Sequence, residues 1–132
     1  MLGEKGEETM SELIQHIGEL PTYAPPGHSG TINRRLVTGD FNGAFEMVLG
    51  EIAPGGIADR HAHSREHQCI YILDGEAEVQ LGREPKRRCG PGTIVRIPPG
   101  LEHEVTALGA APLRLIVLYS PPLPKRAERA LP

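Results

Sequence analysis

The stretch that decides the reading is Gly55-Gly-Ile-Ala-Asp-Arg-His61-Ala-His63-Ser-Arg-Glu66-His67-Gln68-Cys69-Ile-Tyr-Ile-Leu-Asp-Gly75. His61 and His63 are two apart, so on an extended strand both imidazoles leave from the same face. Five residues later Gln68 opens the apolar run Cys69-Ile70-Tyr71-Ile72-Leu73, which reads as a buried strand. A second segment, Gly92 to His103, is punctuated by Pro98, Pro99 and Gly100 and ends on another imidazole. Three imidazoles and an amide converging inside a β-barrel form a donor set suited to a divalent metal.

Outward from this stretch the chain reads as strand after strand. Ile32 to Val37 and Phe45 to Ile52 are predicted strands around a turn at Gly39–Gly43, and Pro54-Gly55-Gly56 is predicted as another turn. A short strand is expected at His61–His63. The run Gln68 to Leu73 is expected to pair, as a hairpin across Asp74-Gly75, with Glu76 to Leu81, where Ala77, Val79 and Leu81 alternate with polar residues. Thr93–Ile97, His103–Leu108 and Leu113–Tyr119 complete the set. The expected interior is Met47 or Val48, Ile70, Ile72, Val79, Leu81, Val95, Ile97, Val105 and Leu115. Many short strands between Gly/Pro turns imply an all-β closed sandwich or barrel.

The ends differ in character. Thr9 and Glu12 suggest a capping box, and Met10, Leu13, Ile14 and Ile17 recur at helical spacing, so a short amphipathic helix is expected to stop near Gly18. Pro21 to Gly30 reads as an extended arm. The expected division is a helix and arm over 1–30, a β-barrel over 31–122 and a Pro-rich charged tail over 123–132.

With 132 residues the chain suffices for one domain, and its net charge of −3 offers no basic aromatic surface for nucleic acid. Lys86-Arg87-Arg88 reads as a solvated loop near a hairpin tip. No run is apolar and long enough for a membrane helix. The two cysteines, Cys69 and Cys89, form no CxxC pattern, and no targeting segment is recognised, so the expectation is a cytoplasmic protein with reduced thiols.

Two gapped patterns carry a resemblance. The first is Gly55, five residues, His61, one, His63, four, Gln68, six, Gly75. The second is Gly92, five residues, Pro98, one, Gly100, two, His103. Together they resemble the two motifs of the cupin superfamily, in its small single-domain class, over about residues 45–120. The resemblance implies a double-stranded β-helix, or jelly roll, with a central metal held by His61, His63, Gln68 and His103. The sequence departs from the family pattern at Gln68, where a glutamate is usual, and at Ala107, where an asparagine is usual.

An amide oxygen coordinates without cancelling charge. Three imidazoles plus Gln68 would leave the ion its full double charge, a stronger Lewis acid that favours an anionic partner such as a carboxylate. Zn, Ni, Mn and Fe all suit this set. His67, separated from His63 by three residues, competes with Gln68 for the third position. Glu66 and Glu51 are the only candidates for a catalytic acid or base, while Glu102 and Glu104 should alternate away from the pocket. His16 and His28 lie outside the motifs and read as surface residues.

Two functions follow from the resemblance. One is a metalloenzyme acting on a small carboxylate- or carbonyl-bearing metabolite. Its donor set resembles that of cupins which open or isomerise uronate sugars, with dioxygenation as the rival chemistry. The other is a non-catalytic metal-dependent binding or sensing protein. Small cupins commonly dimerise by exchanging N-terminal strands, so a homodimer is expected through the arm Tyr23–Thr31.

Overall fold

The computed structural model describes residues 10–125 and 128–131. Among these described residues ten strands run in chain order: β1 (Tyr23–Ala24), β2 (His28–Val37), β3 (Glu46–His61), β4 (His67–Asp74), β5 (Glu76–Leu81), β6 (Arg87–Cys89), β7 (Ile94–Ile97), β8 (His103–Leu108), β9 (Leu113–Ser120) and β10 (Arg129–Ala130). All pairings among them are antiparallel. The all-β expectation holds.

The long strand β3 closes the barrel. Its first half, Glu46 to Ile52, pairs with β9, and its second half, Ile57 to His61, pairs with β8. Strand β2 follows it on the other side over nearly the whole length. One face thus runs β7-β4-β9-β3-β2 and the other β6-β5-β8-β3-β2, folded over on the shared β2–β3 ladder. Pro54-Gly55-Gly56, predicted as a turn, is a bend inside β3. The chain stays a strand there because His28 and Ser29 pair with Ala58 and Ile57 beyond the bend.

The expected β4–β5 hairpin does not form. Strand β4 pairs with β7 and β9, and β5 pairs with β6 and β8, so Asp74-Gly75 is a corner between the two faces. Gly75 has φ of +82°, and a Cβ there would stand 2.4 Å from the Pro112 carbonyl oxygen. Only a residue without a side chain lets the chain turn this tightly against the β8–β9 connection. Local alternation looks the same for a hairpin and for a corner, so the sequence could not separate them.

Between the faces lie Val48, Ile52, Ile70, Ile72, Ala77, Val79, Val95, Ile97, Val105, Ala107, Leu113, Leu115 and Val117. Val48, not Met47, is the buried member of that pair, and Leu81 packs at the margin. Cys69 faces outward, as its place after Gln68 requires.

The ends bring corrections. Among the described residues no N-terminal α-helix is present: Met10–Leu13 and Ile17–Glu19 are separate 3-10 turns. Ile14 is 86% exposed, so the helical spacing has no apolar surface to pack against. Thr9 lies outside the described residues. A capping box occurs instead at His16, whose Nδ1 accepts from the Gly18 N–H (2.9 Å) while Glu19 accepts from the His16 N–H (2.7 Å). Of the basic run only Lys86 lies in the loop of the β5–β6 hairpin, while Arg87-Arg88 lies in β6; Arg88 pairs with Glu76 (2.6 Å) and Lys86 with Glu78 (3.7 Å).

The C-terminal segment returns to the barrel. Strand β10 pairs with β1, the Leu131 N–H donates to the Thr22 carbonyl, and Glu128 receives the Arg35 guanidinium. Arg35 also donates from Nε to the buried Glu46 (3.2 Å) and stacks 4.3 Å from the Tyr23 ring centre. The Leu123 N–H donates to the other Glu46 oxygen (2.7 Å).

Candidate metal centre

One cavity of about 410 Å³ opens between the faces. Its deep wall is apolar, from Val48, Ile52, Ile70, Val105, Leu115 and Val117, and imidazoles and other polar groups crowd the rest. A small number of convergent polar groups on an apolar wall is the usual design of a small-molecule site.

His61 ends β3 and His103 begins β8, and the two are register partners across the ladder. Their ring centres lie 4.3 Å apart. His63 was expected on a strand but sits in the β3–β4 loop. It still joins the group, its ring 4.9 Å from His61 and 5.5 Å from His103. What holds it is a bond between the two motifs: the Gly100 N–H donates to the His63 carbonyl at 2.7 Å. One nitrogen from each of the three rings lies within 4.8 Å of the others.

The backbone sets the tautomers. His61 Nδ1 is 2.6 Å from the Asp59 carbonyl oxygen and His103 Nδ1 is 3.0 Å from that of Leu101. A carbonyl can only accept, so each Nδ1 carries a proton, and in the neutral ring Nε2 is then the nitrogen with the free lone pair. Burial pushes the His103 pKa below the ordinary histidine value. The charges of His61 and Arg60 push the same way, against the Leu101 carbonyl. His103 is therefore neutral at pH 7, the form a metal ligand needs.

Gln68 points inward from β4 and is 5% exposed. Its Nε2 donates to the Tyr119 hydroxyl (3.4 Å), which leaves Oε1 as the atom available to the cavity. Among the described residues, Gln68 Oε1 and His103 Nε2 are both buried without a hydrogen-bond partner. An unmet buried acceptor costs about 1–3 kcal/mol. Two of them in one cavity beside two further imidazoles fit a cation, and the residues present suit a divalent metal.

The remaining candidates are placed elsewhere. His67 is exposed at the start of β4 and outside the histidine group. Glu51 is exposed and pairs with Arg114 (3.6 Å). Glu66 is buried, yet it does not line the cavity. Glu102 is largely exposed and accepts from Arg60. The sequence reading missed His28, which lines the cavity rather than the surface, along with Tyr23, Thr31 and Asn33 beside it.

The Cupin domain family matches residues 48–119. The chain is a cupin. It is 27% identical to L-ectoine synthase of Bordetella petrii over 94 residues, covering 70% of this cupin and 68% of that protein. The structure of KdgF from a Halomonas species is similar with a TM-score of 0.65 at 28% identity, covering 71% of this cupin and 81% of that chain. The polyketide cyclase RemF from Streptomyces resistomycificus is similar with a TM-score of 0.71 at 26% identity, covering 89% and 84%. The cupin thus shares its barrel with proteins of different named activities, so the fold alone does not choose a reaction.

Proposed function

We propose that this cupin is a metalloenzyme acting on a small carboxylate- or carbonyl-bearing metabolite, with His61, His63, Gln68 and His103 as the metal ligands. The observation that carries the reading is the pair of buried, unmet acceptors, Gln68 Oε1 and His103 Nε2, in the same cavity as His61 and His63. A divalent ion bound there would polarise a substrate oxygen as a Lewis acid. The chain's own residues would do the rest. The Asp59 and Leu101 carbonyls hold the ligand rings in orientation, Tyr119 holds the Gln68 amide, and the apolar wall excludes water. Arg60, on the cavity rim, adds positive charge that suits an anionic substrate. Isomerisation or opening of a sugar acid fits this arrangement, and a neutral amide ligand favours it over dioxygenation.

Metal content by mass spectrometry on chelator-free protein tests the reading. The expected result is close to one Zn, Ni, Mn or Fe per chain, lost in both His61→Ala and His103→Ala. Wild-type protein that takes up none of these ions after soaking would overturn it.

A second reading is a metal-dependent binding protein without catalysis. It is favoured by Glu51 and Glu66, the two acid/base candidates, neither of which lines the cavity. Metal-loaded protein that binds a sugar acid yet leaves it unchanged on prolonged incubation would select it. The working form is proposed to be a homodimer. Strand β1 pairs with β2 and β10 of its own chain, a pairing that a second copy could supply by exchange. Light scattering that finds only monomer would remove that proposal.

A further inference from the structure

His28 occupies a place that strand alternation does not allow. Thr31 pairs with Ile52, and both point into the barrel. In a regular strand, residues 29 and 31 share a face and residue 28 points out. Here the register slips between Ser29 and Thr31, and His28 comes to stand opposite Ala58, which is 6% exposed and lines the cavity. Between these two pairs β2 has only Gly30, with φ of +70°, where β3 has the four residues 53–56. A glycine in this conformation is the usual pivot of a bulge that re-aims the neighbouring side chain. His28 therefore faces the cavity, and its ring centre is 6.5 Å from that of His61.

The ring is held in this position. His28 Nδ1 lies 3.0 Å from the hydroxyl of Thr31, which is itself 6% exposed. Yet His28 is not a member of the close histidine group. An imidazole beside a candidate metal centre, turned inward by a bulge and anchored by a buried hydroxyl, is placed to meet whatever the metal binds.

We propose that His28 is a substrate-contacting residue, whose imidazole hydrogen-bonds an oxygen of the small carboxylate held at the metal centre. This rests on the metal-centre reading above and names the residue that would confer selectivity at it. Thr31 is then a positioning residue, acting through the ring it anchors.

The experiment uses the full chain loaded with Co(II), whose visible absorption reports the ligand set, and galacturonate and pyruvate as probes by calorimetry. His28→Ala is expected to keep one cobalt per chain and the wild-type spectrum, and to bind the better probe about 10- to 100-fold more weakly, the worth of one hydrogen bond to a charged group. His28→Gln should recover part of that loss, and Thr31→Val should show a smaller loss of the same kind. Affinity in His28→Ala within twofold of wild type overturns the proposal. So does loss of cobalt from that variant, which would make His28 a ligand or a structural residue. Wild-type protein that holds cobalt but binds neither acid also overturns it. Wild-type protein that takes no cobalt marks failure of the metal-centre reading instead.

Discussion

Gln68 is the residue on which the chemistry of the centre turns. It presents an amide where a carboxylate would cancel one charge of a bound dication. Its side chain is already anchored by Tyr119 and buried, so a glutamate of the same length fits the same place. Gln68→Glu is expected to tighten Zn binding at least about tenfold, because a full charge replaces a dipole in a poorly solvated site. Competition with a chromophoric chelator reads this directly, and equal affinities would mean that Gln68 does not contact the ion. The same variant should bind anionic small molecules more weakly, since the centre then carries less positive charge. Tyr119→Phe removes the hydroxyl that holds the amide, and a modest loss of Zn affinity with the same metal stoichiometry is expected in the same assay.

Among the elements, the corners and bulges decide where side chains aim. At the β4–β5 corner, Gly75 combines a left-handed conformation with contact against the Pro112 carbonyl. Gly75→Ala must pay the conformational cost and also displace the β8–β9 connection, and a loss of about 2 kcal/mol or more is expected in urea unfolding. An unchanged midpoint would show that the corner relaxes freely. Next to it Ile72 is 1% exposed in the centre of the core. Truncation to alanine should cost about 2–5 kcal/mol, with the spread set by how far the cavity collapses. At the register slip between β2 and β3, a Cβ on Gly30 would meet Ala53 and Gly56 at ordinary contact distances, so it is the left-handed conformation, with φ of +70°, that calls for glycine there.

For the whole molecule, the last residues close a circuit around the open end of the sheet. Glu46 is buried and holds both Arg35 and the Leu123 N–H, while Arg35 reaches Glu128 and covers Tyr23. Glu46→Ala leaves the Leu123 N–H without its acceptor, and a loss of about 1–3 kcal/mol is expected by thermal or urea unfolding. Burial raises the Tyr23 pKa above its ordinary value, against the opposing influence of Arg35. Above pH 10 the unfolded chain therefore releases a proton that the folded chain retains, so stability falls as pH rises through that range. Tyr23→Phe should flatten this alkaline loss relative to wild type, and identical profiles would remove Tyr23 from the account. The sequence by itself determined the all-β barrel and the inward aim of Gln68, together with the choice of His61, Gln68 and His103 as residues that could meet. The barrel and the aim of Gln68 follow from period-2 alternation between glycine- and proline-rich turns, which are local properties of a chain, while the meeting residues, His63 with them, are what the resemblance to the cupin motifs implies. Only the tertiary structure decided that β4 and β5 part company at Gly75, that the N-terminal helical spacing finds no surface, that the tail docks on β1, and that His28 turns inward. Those outcomes depend on which distant strand supplies the hydrogen bonds, and a register slip at Gly30 reverses a side chain's face without leaving a mark in the local pattern.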